Sequence, residues 1–199
     1  MSKIISESSR DAVKEAVRVL RSGGVIIYPT ETAYGMGADS TNAAARKKIY
    51  RIKKRFGGKK LSVIVASTAM AMRYIRLDNK AKRLMNAFMP GPLTIICDTK
   101  RAGNIGRDVA FRIPRQKFAL RVVRSFGKPV TATSANISGS AALYEISKIK
   151  KLFQNKADLI VDGGNLPHRR VSTVYDARNR KIIRKGPVSR KEIERVLGR

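Results

Sequence analysis

The sequence predicts one α/β domain built around a mostly buried sheet with helices packed against it. Three observations lead there. The chain has 199 residues, 43% of them hydrophobic, enough for one domain with a substantial core. Short β-branched runs alternate with stretches of helical period along most of its length. No linker, repeat or low-complexity tract divides it, so residues 1–199 read as a single domain.

Taken in order, Asp11 to Arg21 carries Val13, Ala16, Val17 and Leu20 at helical spacing, with Ser8 or Ser9 as its cap. Gly23 and Gly24 stop that helix. Val25 to Tyr28 is a buried strand, ended by Pro29. Asn42 caps a helix running to about Arg55 with Ala45, Ile49 and Ile52 inward. Leu61 to Ala66 is an apolar strand. Helices follow near 68–75 and 80–88, the second capped by Asn79. Pro90-Gly91-Pro92 is a hard break. Leu93 to Cys97 and Val109 to Ile113 read as strands joined by a basic, glycine-bearing loop, and Arg115 to Phe126 as a helix ended by Gly127. Val130 to Thr133 is a strand leading into Ser134-Ala135-Asn136-Ile137-Ser138-Gly139. A helix near 146–154, a strand Leu159 to Val161 and the Gly163-Gly164 turn come next. Val171 to Tyr175 and Lys181 to Arg184 form a hairpin around Asn179. Ser189 and Glu192 make a capping box for the last helix.

The stretch from Gly23 to Gly37 organises the rest. A buried strand delivers Thr30, Glu31, Thr32 and Tyr34 into a loop, and Gly35 and Gly37 let backbone pass close to a neighbour. Rigid scaffolds present functional groups in this way.

Charge is the loudest compositional fact. Lys and Arg number 43 against 14 Asp and Glu, a formal net charge of +29. The excess is uneven: residues 40–77 and 109–144 hold no carboxylate, and nine of the fifteen residues from Arg46 to Lys60 are basic. Such a chain calls for a polyanionic partner, and RNA is the better reading of the excess. The single cysteine, Cys97, excludes an internal disulfide and reads as a buried strand residue. With the single histidine, His168, it makes no zinc site. No apolar run is long enough for a membrane helix, and the N-terminus lacks the apolar core of a signal peptide. A cytoplasmic protein is expected.

Neither GxxxxGK[ST] nor a GxGxxG after a strand is present. The loop Pro29-Thr30-Glu31-Thr32-Ala33-Tyr34-Gly35 instead resembles the signature of the YrdC family, the threonylcarbamoyl-AMP synthases. Further matches follow in the family's order: Lys53-x-Arg55, Pro90-Gly91-Pro92-Leu93-Thr94, Arg112-x-Pro114, Thr133 to Gly139, Asp162-Gly163-Gly164, Ser172-Thr173-Val174 and Arg184-x-Gly186-Pro187. The ordered set spans about residues 23–187.

The resemblance implies a twisted, open mixed β-sheet with a concave face. It further implies the stand-alone form, since few residues remain after Pro187 for the extra C-terminal domain of some relatives. The implied activity makes L-threonylcarbamoyladenylate and pyrophosphate from L-threonine, bicarbonate and ATP. That product feeds N6-threonylcarbamoyladenosine synthesis on tRNA, through a downstream tRNA threonylcarbamoyl-transferase complex. By the same resemblance Lys53, Arg55, Ser134, Asn136 and Arg184 hold ATP, the first four also acting in catalysis. Thr32, Tyr34, Arg112, Thr133 and Ser172 recognise threonine. Mg2+ is expected to arrive on ATP, with no metal ligands in the protein and no tightly bound cofactor.

On a regular helix Lys53 and Arg55 would point about 200° apart. Sharing one triphosphate therefore requires the helix to have ended and the chain to be extended, a break that Gly57-Gly58 would supply. Strand alternation places Arg112 on the face opposite Phe111 and Ile113, either toward solvent or paired in a site. Three positions depart from the family pattern: Phe56 replaces a proline, Ile64 stands about where a histidine often lies, and Met89 replaces a tryptophan before the PGPLT motif. The rival reading is a tRNA- or duplex-RNA-binding module without catalysis.

Overall fold

The computed structural model describes residues 1–55, 60–100 and 105–198. In chain order the elements are β1 (Lys3–Ser6), α1 (Ala12–Arg21), β2 (Ile26–Tyr28), β3 (Gly35–Gly37), α2 (Ala43–Ile52), β4 (Val63–Ile64), α3 (Thr68–Tyr74), α4 (Asn79–Phe88) and β5 (Leu93–Asp98). Then follow β6 (Asp108–Arg112), α5 (Lys117–Phe126), β7 (Val130–Thr131), β8 (Thr133–Ser134), α6 (Ile146–Phe153), β9 (Leu159–Asp162), β10 (Thr173–Asp176), β11 (Lys181–Arg184) and α7 (Arg190–Leu197).

The strands form two open mixed sheets, where the sequence reading had a single one. One runs β1-β9-β2-β3-β8, the other β11-β10-β5-β6-β4-β7. The stretch 130–134 joins them. Its first half, β7, pairs antiparallel with β4, and its second half, β8, pairs antiparallel with β3. Ala132 lies at the crossover and donates its N–H to Ser62 O at 2.8 Å. The side chains of Thr133 and Ser134 are thereby fixed where the two sheets meet.

Side-chain chemistry explains the local boundaries. Asn42 Oδ1 accepts from Ala45 N at 3.1 Å and starts α2. Ser189 and Glu192 close the capping box of α7. Gly127, with φ at 80°, ends α5 in the left-handed conformation that glycine adopts without a Cβ penalty. Other boundaries differ from the sequence reading. Asp78, not Asn79, caps α4, its Oδ1 accepting from Ala81 N at 2.7 Å. Asp11 precedes α1 without a side-chain cap, while Ser9 Oγ accepts from Asp11 N at 3.4 Å. The Leu61 to Ala66 run pairs as a strand only at Val63–Ile64. Two strands carry no period long enough to predict them. β1 is a four-residue edge lying parallel to β9, and β3 is Gly-Met-Gly.

β3 shows what the two glycines are for. A Cβ on Gly37 would lie 2.8 Å from Tyr28 Cε1, and one on Gly35 would lie 3.2 Å from Tyr28 Cζ. The Tyr28 ring covers this strand and brings β3 close enough to pair on both sides. The larger core cluster joins α1, α5 and α4 to the sheets through Leu20, Leu84, Phe111 and Phe118. A second cluster, with Ile27, Met36, Ile49 and Phe153, packs α2 and α6 on the other side. Cys97 is 4% exposed on β5, and burial pushes its thiol up to about 12. It is a packing residue, as expected.

The β10–β11 hairpin is held by charge. Arg178 binds Asp176 through two bonds, Nε to Oδ1 at 3.1 Å and Nη2 to Oδ2 at 3.0 Å, and its Nη1 donates to Asp108 Oδ2. Burial alone would raise the Asp176 carboxyl. The hydrogen bonds from Arg178 and Asn179 outweigh it and bring the group down to about 2. A carboxylate depressed in the folded state contributes stability above its unfolded value of about 4 and loses it as pH falls toward 2. Asp176→Asn is therefore expected to be less stable than the native chain at pH 7, with the gap narrowing between pH 4 and 2. Urea midpoints at the three pH values measure this, and a gap unchanged by acid would contradict it.

Candidate active site

The sheet junction opens a cavity of about 370 Å³. Its wall includes Thr32 and Tyr34 from the β2–β3 loop, Arg55 from beyond α2, and Arg112 at the end of β6. Thr133 and Ser134 from β8, Ser172 before β10 and Arg184 at the end of β11 complete the set. Eight of the ten residues singled out in the sequence thus meet in one cavity. Lys53 and Asn136 lie behind its wall.

The β2–β3 loop is a side-chain-stabilised turn. Thr30 Oγ1 accepts from Thr32 N and Ala33 N, both at 3.2 Å, and donates to Ala33 O at 2.6 Å. The next residue, Tyr34, is fully buried, and its hydroxyl is engaged away from the cavity. It donates to Gly164 O at 2.7 Å and accepts from Gly163 N at 3.0 Å. Burial pushes this phenol up to about 12. Tyr34 thus ties the β2–β3 loop to the 163–164 turn while contributing to the cavity wall.

Arg112 is 8% exposed, on the face of β6 that lines the cavity with Ala110, while Phe111 points into the core. Of the two readings left open for it, pairing in a site holds: Nη1 is bonded to Glu31 Oε1. Both side chains are nearly buried, at 9% and 12% exposure, and Glu31 Oε2 has no partner among the described residues. Sequence reasoning placed Glu31 in the loop and gave it no partner. The signal available was a single carboxylate among the loop's hydroxyls.

Arg184 shares the cavity wall with Arg112. Its Nε and Nη2 donate to Ser172 O at 3.0 and 2.9 Å, and Nη2 also reaches Ser172 Oγ at 3.0 Å. Ser172 Oγ is in turn 2.8 Å from Thr94 Oγ1. Gly186 permits this arrangement. A Cβ there would lie 2.3 Å from Thr173 N, so only glycine lets the chain after β11 run against Val171 to Thr173. Burial and the Arg112 charge lower the Arg184 guanidinium. Two cations held together inside one cavity favour an anion between them.

The Lys53-x-Arg55 geometry differs from the extended one expected. α2 ends at Ile52, Lys53 stays right-handed with φ at −76°, and Lys54 turns left-handed with φ at 48°. The break thus falls at Lys54; Phe56, Gly57 and Gly58 lie outside the described residues. Arg55 reaches the cavity wall, with Nη2 donating to Lys60 O at 3.1 Å. Its Nε is buried with no partner among the described residues. Lys53 is 3% exposed, and its Nζ donates to Ser134 O at 2.6 Å, Asn136 O at 2.9 Å and Asn136 Oδ1 at 2.7 Å. Burial, with the Arg55 charge nearby, lowers this ammonium to about 8. Asn136 Oδ1 also accepts from Ser134 Oγ at 2.8 Å, and Asn136 Nδ2 donates to Ser140 O.

Lys60 is a fourth cation on the wall that sequence reasoning missed, since nothing in so basic a run distinguishes it. It is paired with Asp108, which also binds Arg178. Ile64 is fully packed and is absent from the cavity wall. A larger cleft of about 560 Å³ lies beyond the ends of β5 and β10, around Asp98 and Arg178, and contains none of the ten residues. The chemistry converges in the smaller cavity.

The fold and this cavity define an α/β protein whose sheet junction is a cationic pocket lined by guanidinium groups and hydroxyls. The chain belongs to the Sua5/YciO/YrdC family, whose model, described as "Telomere recombination", matches residues 18–186. A putative threonylcarbamoyl-AMP synthase of Methanocaldococcus jannaschii is 32% identical over 90% of this chain and 87% of its own length. The threonylcarbamoyl-AMP synthase of Bacillus subtilis is 33% identical over 94% of this chain, which spans 56% of that protein. Among solved structures, P. abyssi Sua5 complexed with L-threonine superposes with a TM-score of 0.89 at 28% identity, covering all of this chain and 61% of that one. E. coli YciO gives 0.86 at 26% identity, covering 97% of this chain and 100% of its own.

Proposed function

We propose that this chain makes L-threonylcarbamoyladenylate and pyrophosphate from L-threonine, bicarbonate and ATP, for N6-threonylcarbamoyladenosine modification of tRNA. The carrying observation is the meeting, in one cavity, of residues from separated motifs: the guanidinium groups of Arg55, Arg112 and Arg184, and the hydroxyls of Thr32, Thr133, Ser134 and Ser172. The relatives named threonylcarbamoyl-AMP synthase support the same reading. The threonine amine nitrogen bonds to the bicarbonate carbon, a carbon–oxygen bond breaks and water leaves with the displaced oxygen, which gives a carbamate. A carbamate oxygen then bonds to the α-phosphorus, and the bond to pyrophosphate breaks. The protein's work in such a reaction is alignment, water exclusion and charge stabilisation.

Arg112, with Ser172, Thr32 and Thr133 around it, is assigned to threonine. Arg55, Ser134 and Arg184 are assigned to the phosphates. A planar guanidinium fork suits both carboxylate and phosphate oxygens. Mg2+ is expected as part of the ATP substrate. Phosphates and water are expected to hold the ion. Purified protein incubated with labelled threonine, bicarbonate and ATP tests the proposal. Pyrophosphate and labelled adenylate should appear only when all three are present, and nucleotide binding without turnover would overturn the synthase reading.

The charge of +29 supports RNA, as tRNA or duplex, as a further partner, and no helix of the described residues is long and apolar enough to cross a membrane. Binding to tRNA is expected to fall steeply with salt, each neutralised phosphate adding roughly 0.7–0.9 to the slope of log K against log salt. Filter binding across a salt series measures it. A flat slope would remove RNA from the partners.

A further inference from the structure

We propose that Lys53 is a positioning residue: its ammonium pins the turn that presents Ser134 to the nucleotide phosphates, and it does not touch those phosphates itself. This inference rests on the reading of the cavity as an ATP site. Every N–H of the ammonium already has a protein acceptor, at 2.6, 2.9 and 2.7 Å, and the residue is 3% exposed. An ammonium has three donors and no more. A phosphate contact would have to displace one of these bonds and leave a buried oxygen without a partner, which is costly. The backbone tightens the same knot, because Ser138 N donates to Lys53 O at 2.8 Å.

The arrangement also gives Ser134 its freedom. Asn136 Oδ1 accepts from both Ser134 Oγ and Lys53 Nζ. Only an amide oxygen faces an ammonium favourably, so Lys53 fixes which way the Asn136 amide points. When the Ser134 hydroxyl swings to donate to a phosphate oxygen, Asn136 Oδ1 keeps the bond from Lys53 and stays satisfied. Without the ammonium, releasing Ser134 would strand a buried acceptor. Ser134 and Arg55 lie on the cavity wall, whereas Lys53 and Asn136 are not part of it and are bonded to Ser134. Two residues of the Lys-x-Arg and Ser-x-Asn motifs face the ligand, and the other two hold them.

Amine acylation of the native protein, read by peptide mass spectrometry with and without ATP, tests this on the unaltered chain. Exposed Lys54 should label in both conditions, and Lys53 in neither. Labelling of Lys53 in the free protein that ATP suppresses would overturn the proposal. If the same protein binds no ATP in titration, the reading of the cavity fails instead, whatever the labelling shows. A double-substitution cycle adds the functional side, with Lys53→Met, Asn136→Ala and their combination assayed for turnover. Residues acting as one unit are expected to be coupled on the order of ten- to hundred-fold, so the double variant should be about as impaired as the worse single one. Losses that multiply would mean that Lys53 acts on the substrate independently of Asn136.

Discussion

Replacing Arg55 with alanine is expected to slow adenylate formation by about 10²–10³-fold, the scale of removing one oriented donor from developing charge. Lys54→Ala, one residue away, should change it little. The contrast follows from backbone geometry. The left-handed turn at Lys54 sends that side chain to solvent, while Arg55 returns to the cavity wall. Only Nη2 of Arg55 is bonded to protein among the described residues, and the buried Nε is an unused donor. Pyrophosphate release by the two variants, with circular dichroism to confirm folding, decides the matter. Equal damage from both would mean that the segment acts only as diffuse positive charge. Near-normal rates in Arg55→Ala would remove the phosphate anchor from the proposed function.

Arg112→Ala should produce two losses at once. Threonine binding is expected to collapse while ATP binding largely survives, a difference that titration calorimetry resolves. Stability should also fall by about 3–5 kcal/mol, because deleting one member of a buried ion pair leaves the other charge uncompensated. Glu31 is the residue left behind, with Oε2 already lacking a partner among the described residues and Oε1 losing the Arg112 bond. The two losses separate in the double variant Glu31→Ala with Arg112→Ala. Removing both charges should recover much of the stability, since replacing a whole buried pair is often near neutral. Threonine binding should stay lost. A double variant that regains threonine binding would show that Arg112 supports the fold and not the ligand. An Arg112→Ala protein as stable as the native chain would show that the pair is solvated.

Much of the architecture was legible because its causes are local. The apolar spacing of α1 and α5, the Asn42 cap, the Ser189–Glu192 box and the stop at Gly127 each depend on residues within one or two turns. The strands that were missed have causes elsewhere. β1 exists because β9 offers it a parallel edge, and β3 because the Tyr28 ring lies over two glycines. The division into two sheets was hidden for a related reason. The stretch 130–134 looks continuous in sequence, and only its two different partners, β4 and β3, split it at Ala132.

The candidate site divides along the same line. The ordered motifs named ten residues, and eight of them line one cavity. Residue type and order were enough to say which side chains belong together, because hydroxyls and guanidinium groups at strand ends have few structural uses. What each one does was decided by its partners. The Tyr34 phenol, on the cavity wall, is bonded to Gly163 and Gly164, and the Lys53 ammonium to Ser134 and Asn136, pairings that no sequence pattern announces. Arg112 was left between solvent and a paired site until Glu31, 81 positions away, settled it. The chain by itself determined its family, its sheet-and-helix class and its set of chemical groups. Tertiary structure alone decided which of those groups face the cavity and which hold the facing ones. A hydrogen bond engages a donor in one direction, and that direction depends on residues brought near by folding, not on those adjacent in sequence.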